Sequence, residues 1–432
     1  MKKEEILKSP EVLLVIGNGF DLQCGLKSGY KDFLISSLFN KAQGKLKNEE
    51  VIEKWSTLLD NEKYMYNGDL NGDITSLNLW YILFLHKNLL GEMDWNFIEK
   101  QVLKELIEVE NITNNFPNLN LIGKISLSLI INKNLLYTKD ISQYSKASEI
   151  REYKIYHILA TSILNRTIDE EYKEKQVYKE MIKKINEIEN NRTTYTNKYT
   201  IKELMELSNT VSEIILYELK EVEKDFKNYL SEEINIKNKE YIDKSFKLIT
   251  KLIGNNKFFN ILSFNYTTPW LTEDNEEMNA YINMFSYINI HGSLKSNIIF
   301  GIDEGIIEEN SSEYKFTKVA RILESQIEGN NYITPMSAIL APTIKRVVFY
   351  GHSLSEADYK YLRMILDKYV DNDKVIFEFY YSVYPRTTNE EQSRILRDSI
   401  ASLFGMYAKS EKGNKDTFSN LLTNNRIRIK LI

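Results

Sequence analysis

The residues whose types could do chemistry in this chain sit where apolar runs give way to polar turns. Gly17 and Gly19 stand one residue apart in VIGNGFDLQCGLKSGYKDFL (15–34), between an apolar run and a helical pattern. A strand that turns abruptly into a helix needs unusual backbone angles, and a missing Cβ lets a phosphate approach the amides at the helix start. The pair matches the first half of G-x-G-x-x-G, but its third glycine position is Leu22 and no G-x-x-x-x-G-K-[ST] loop occurs. A tight turn without a ligand is therefore the competing reading. Asn265 in LSFNYTTPW supplies an amide or caps a turn. His291-Gly292 in INIHGS supplies an imidazole, or a packed histidine bonded to a carbonyl. Gly351-His352-Ser353 in VVFYGHSLSEADY adds a glycine, a second imidazole and a hydroxyl, although His352 alone reads as a loop residue.

The elements that must position these groups follow from periodicity. VLLVI is continuously apolar, as a strand covered on both faces would be. KFFNILSFNY (257–266), INMFSYINIHGS (282–293), IKRVVFYGHSLS (344–355) and DKVIFEFYYSV (373–383) repeat the strand signal, and EADYKYLRMILDKYV (356–370) reads as a helix between the last two. Alternating strands and helices predict a parallel sheet, whose ligands lie outside the carboxyl ends of the strands. Thr268-Pro269 has the form of an N-cap followed by proline at the first helical position. The long middle region is mostly helical in pattern. In DWNFIEKQVLKEL, Asp94 reads as an N-cap, with Trp95, Ile98, Val102 and Leu106 at helical spacing; in 210–234, Val211, Ile215, Leu219, Val222, Phe226 and Leu230 form one stripe, with Glu223 spaced to pair with Lys227.

Composition narrows the classes. The chain has 432 residues, 43% hydrophobic and 27% charged, with a net charge of −5, so no general excess of positive charge draws a polyanion. The lysines of MIKKIN (181–186) read as a solvated helix face. Cys24 is the single cysteine; this excludes an intrachain disulfide and a zinc site built on several thiolates, and it reads as a small packed side chain in a reducing compartment. His86 and His157 lie in helical patterns and carry no assigned role. The start MKKEEILKSPEVLLV has too short an apolar run for a signal-peptide core, and no stretch approaches the roughly 20 apolar residues of a membrane span. A soluble cytoplasmic protein is expected.

GNGFDLQCGLKSGYKDFL, LSFNYTTPW, IHGSLKSNIIFGIDE and FYGHSLSEADY, in this order, resemble the bacteriophage abortive infection AbiH family, with DWNFIE a weaker fifth segment. The same motifs are similar, more distantly, to the sirtuin-like fold, which binds NAD. That resemblance implies that Gly17, Asn18 and Gly19, with Phe20 and Asp21, stand where the sirtuin G-A-G loop meets the cofactor phosphates, and that Gly351, His352 and Ser353 stand where a G-T-S loop meets the adenosine side. It further implies that Asn265 and His291 are the catalytic pair. Tyr266 and Thr267 follow Asn265, so the aspartate of the sirtuin T-Q-N-x-D motif is absent, as are the zinc-ribbon cysteines; protein deacylation and a metal are not expected.

The chemistry implied is cleavage of the nicotinamide–ribose bond of NAD. Asn265 would orient water or ribose hydroxyls, His291 would be the general base, and Asp21 would meet a ribose or cap the following helix. The expected architecture is α/β, a Rossmann-like, sirtuin-like parallel sheet with a large mainly α-helical insertion. Residues 1–40 and 257–432 would form the nucleotide-binding core, and 41–256 the insertion or lid. The expected function is an anti-phage effector that binds and hydrolyses NAD. The alternatives are a non-catalytic nucleotide-binding sensor or scaffold and, with least support, an effector aimed at nucleic acid. NAD or a related nucleotide is the expected partner, a phage-derived trigger and self-association are left open, and no membrane partner is expected.

Overall fold

A computed structural model describes residues 9–41, 50, 53–54, 57, 77–89, 102, 104–106, 119–135, 147–190, 201–255, 257–270, 283–302, 307–327, 335–354, 358–384 and 387–432. The apolar runs form β1 (Val12–Ile16), β2 (Phe259–Ser263), β3 (Met284–Asn289), β4 (Arg346–Tyr350) and β5 (Ile376–Tyr381), and the terminal IRIKL forms β6 (Ile427–Leu431). Every pairing is parallel, in the order β3-β2-β1-β4-β5-β6, the doubly wound Rossmann arrangement.

β1 lies inside this sheet and is buried throughout, which explains its unbroken apolar run. Leu13 and Val15 pack with Leu262, Val347, Phe349 and Phe377 on one face, under Leu362, Ile365, Leu403 and Phe404 from the helices Tyr359–Tyr369 and Asn389–Tyr407. Val12, Leu14 and Ile16 pack on the other face with Ile261, Val348 and Tyr350, against Tyr241, Ile249 and Leu252 of the helix Ile201–Ile253. Register then aligns the rim. Ile16 stands opposite Ser263 and Tyr350, and Ser263 opposite Asn289, so four strands end level and their next residues are Gly17, Phe264, Ile290 and Gly351.

Between β1 and β2 the described residues are mainly helical: Tyr30–Lys41, Leu79–Leu89, Leu121–Leu135, Ala147–Ile168, Gln176–Asn190 and Ile201–Ile253. This is the helical insertion of a Rossmann-like fold. The chain forms two compact units: Met1–Gly29, Lys227–Ile299 and Leu323–Ile432 make the first, which holds the sheet, and Tyr30–Phe226 with Phe300–Ile322 make the second. In the second unit, buried Glu218 accepts from Tyr178 Oη at 2.7 Å and from the Leu79 amide at 3.2 Å.

The stripe from Val211 to Leu230 is buried, as its spacing predicts, and the helix that carries it is longer at both ends than 210–234. The expected Glu223–Lys227 pair does not form. Buried Glu223 instead receives both Arg321 Nη1 at 3.0 Å and Nη2 at 2.7 Å, a bidentate geometry that a lysine cannot supply, and Lys227 donates to the Ser296 carbonyl at 2.8 Å. Asp94, Trp95, Ile98 and Glu99 lie outside the described residues, whereas Val102 and Leu106 are helical and buried. Pro269 and Trp270 form a turn, and the helix expected after them lies outside the described residues, as does Ser355.

Candidate functional site

At the corner after β1 the glycines serve close approach of backbone to backbone. Gly17 N–H donates to the Tyr350 carbonyl at 3.2 Å and Gly19 N–H to the Gly351 carbonyl at 2.8 Å. A Cβ on Gly17 would lie 2.7 Å from His352 Cα, and one on Gly19 2.7 Å from Gly351 Cα. Gly351 itself has φ +68°, and a Cβ there would stand 2.4 Å from the Phe20 nitrogen. The turns after β1 and β4 are thus pressed together at the topological switch point, with one glycine amide of the first turn bonded to the end of β4 and the other to the second turn. Asn18 accepts from Ser28 Oγ at 2.5 Å, and Phe20 is fully buried in the apolar core. Ser353 is exposed.

The segment leaving β2, bent at Asn265 and Tyr266, sends its side chains alternately to two polar groups. Asn265 and Thr267 turn to one side. Asn265 Nδ2 donates to the Gly17 carbonyl at 3.0 Å, tying the end of β2 to the glycine corner, and Asn289 Nδ2 donates to the Asn265 carbonyl at 2.6 Å and to that of Thr267 at 3.1 Å. Thr267 Oγ1 lies 2.8 Å from Asp21 Oδ2, and Tyr241 Oη donates to Asp21 Oδ1 at 2.7 Å. Asp21 is buried, and loss of hydration pushes its carboxyl up to about 6, against the opposing hydrogen bonds of Tyr241, Thr267 and Asn265. Burial likewise raises the Tyr241 hydroxyl well above its usual range, with the Asp21 charge adding to the effect, and holds the Cys24 thiol up at about 12.

Phe264 and Tyr266 turn to the histidines. The Phe264 ring lies 4.1 Å from that of His352 and 5.7 Å from that of His291, and Tyr266 lies 6.4 Å from His291. Between the two imidazoles sits Asp358: its Oδ1 is 3.0 Å from His291 Nε2 and its Oδ2 is 3.3 Å from His352 Nε2. All three side chains are nearly buried, at 5%, 12% and 4% exposure for His291, Asp358 and His352. Two histidines from different strand ends therefore share one carboxylate at the rim.

The structure brings Gly17, Gly19, Asn265 and Asp21 into one network and His291 and His352 into another, with the backbone of 264–267 joining the two. Asp358 is the functional candidate that sequence reasoning does not single out, although SEADY contains it; Thr267 and Tyr241 are two more. Among the described residues no group of three or more His, Cys, Asp or Glu could hold a metal ion, and no helix is long and apolar enough to cross a membrane. Within the helical unit, the basic run at 181–186 is paired with acids: Lys184 lies 2.6 Å from Glu206 and Lys183 3.8 Å from Glu187.

Fold and rim together define a Rossmann-like α/β protein with a polar site at the carboxyl ends of its strands. The chain matches the family described as bacteriophage abortive infection AbiH over residues 13–380, and it belongs to that family. Comparison with curated proteins and with solved structures gave no significant match. Membership points to a role in abortive infection of phage-infected cells.

Proposed function

We propose that the chain is an abortive infection effector that binds NAD at this rim and hydrolyses its nicotinamide–ribose bond. The observation that carries the reading is His291 held by Asp358 at the end of β3, beside the turns after β1 and β4. Nicotinamide leaves as a neutral ring that takes the electron pair of the broken C–N bond, so the leaving group needs no proton. Water adds to the ribose C1′ and passes one proton to His291; NAD⁺ and water give ADP-ribose, nicotinamide and H⁺. The Asp358 carboxylate offsets the charge that the imidazole acquires with that proton, as an acid behind a catalytic histidine does. Asn265, bonded to Gly17, acts as a positioning residue that keeps the β2 end against the corner. Ser353 and the Gly351 turn face the adenosine side in this reading.

Incubation with NAD and measurement of nicotinamide tests the proposal. A positioned general base contributes about 10² to 10⁴ in rate, so His291→Ala lowers release by at least about 10²-fold. Wild type that leaves NAD intact under every triggering condition contradicts it. The amide of Asn265 is occupied by the Gly17 carbonyl and not by water or ribose, which favours a second reading, a nucleotide-binding sensor without catalysis. In that case NAD raises the melting temperature and is recovered unchanged.

A further inference from the structure

One hydrogen bond to each ring assigns its proton: Asp358 Oδ1 meets His291 Nε2, and the Leu354 amide meets His352. Leu354 N–H donates to His352 Nδ1 at 2.9 Å. A ring nitrogen that accepts a hydrogen bond carries no proton, so the His352 proton sits on Nε2, 3.3 Å from Asp358 Oδ2. Leu354 is buried and has φ +57°, a left-handed conformation unfavourable for a leucine. That conformation belongs to the same turn that aims its amide at the imidazole.

Asp358 Oδ2 stands 3.3 Å from His352 Nε2, a charge contact without a hydrogen bond, and the other oxygen is hydrogen-bonded to His291 Nε2 at 3.0 Å. A carboxylate only accepts, so the His291 proton is also drawn to Nε2, and the lone pair of that ring is left on Nδ1. Among the described residues no hydrogen bond to His291 Nδ1 is formed. Phe264 lies against both rings, and Tyr361 stands 6.3 Å from His291, so apolar walls hold the imidazoles in these orientations.

We propose that His352, oriented by the Leu354 amide, is a positioning residue that fixes Asp358 and through it the tautomer of His291, so that Nδ1 of His291 is the atom that accepts the proton. This rests on the hydrolytic reading above for its catalytic consequence, but not for its geometry. The relay is the mirror of the serine-protease arrangement, where the acid holds Nδ1 and Nε2 acts.

The test uses the full chain labelled with ¹⁵N-histidine, whose four histidines give ring signals that report the tautomer of each. Single histidine substitutions assign the signals. In wild type, His352 and His291 both show the tautomer protonated at Nε2. In His352→Phe, His291 becomes a mixture of tautomers and kcat for nicotinamide release falls at least about 10-fold with KM unchanged, a fraction of what a positioned base supplies. His352→Gln, whose side-chain N–H can reach the carboxylate, restores the His291 signal and most of kcat. A His352 ring protonated at Nδ1, or a His291 signal unmoved by His352→Phe, overturns the proposal. If wild type releases no nicotinamide, the hydrolytic reading fails while the ring signals still decide the relay.

Discussion

Asp21 gives the most quantitative prediction. Its carboxyl is buried, receives hydroxyl hydrogen bonds from Tyr241 and Thr267, and is raised from an ordinary 3.8 to about 6 because loss of hydration outweighs those bonds. Between these values the unfolded chain has released the Asp21 proton while the folded chain keeps it. The folded state then binds more protons than the unfolded one, so stability falls as pH rises. The contribution is complete below 3.8 and is lost as pH passes through about 6. At 1.36 kcal/mol for each tenfold change in proton affinity, the gap corresponds to about 3 kcal/mol. Asp21→Asn keeps an acceptor for both hydroxyls and removes the titration. Chemical denaturation of both proteins from pH 4 to 8, with the difference in stability taken at each pH, cancels the shared contributions of other groups. The difference, wild type minus variant, falls by about 2 to 3 kcal/mol across that range, the remainder being lost below pH 4, with its midpoint between 4 and 6. A flat difference would show that burial does not control this carboxyl. One that rises with pH would show that the hydroxyls dominate instead.

Gly351→Ala meets both a positive φ and the Phe20 nitrogen, and it lowers stability by more than about 1 kcal/mol in denaturation. Gly405→Ala, in a helix with open space at its Cβ, raises it by about 0.5 to 1 kcal/mol in the same assay. Removing one partner of a buried ion pair leaves the other uncompensated, so Arg321→Met costs about 3 to 5 kcal/mol, while the joint replacement of Glu223 and Arg321 by apolar residues costs less. Cys24, buried with its thiol raised to about 12, reacts with iodoacetamide at pH 8 only as fast as the protein opens, and a rate in folded protein equal to that in denaturant would contradict this.

The sheet was legible where physics makes the pattern local. β1 is apolar along its whole length because both of its faces are covered, and β2 and β4 on either side of it carry similar runs. β6 is an edge strand in which Ile427, Ile429 and Leu431 alternate with Arg428 and Lys430, and the two cations reach Glu378 of β5. That mixed pattern at the end of the chain gives no unbroken run to read. Partners set by register were also hidden. Glu223 has Lys227 one helical turn away, yet the bond goes to Arg321, far along the chain, because a fork-shaped donor satisfies a buried carboxylate better than a single ammonium. At the rim, residue types signal a site, but only the level strand ends reveal that His291 and His352 share Asp358. Asn265 illustrates the opposite case: its amide suits a ligand in the sequence, and in the fold it holds the Gly17 carbonyl. The glycines, similarly, suit a phosphate in the sequence and admit a neighbouring turn in the structure.

The central claim is that His291, backed by Asp358, removes a proton from the water that cleaves NAD. Its most direct measurement is mass-spectrometric quantification of nicotinamide and ADP-ribose after incubation of NAD with wild type, His291→Ala and Asp358→Asn. The account predicts both products in equal amounts from wild type and a loss of at least about 10²-fold in each variant. Products formed equally by wild type and His291→Ala, or NAD recovered intact from wild type under every triggering condition, would contradict it.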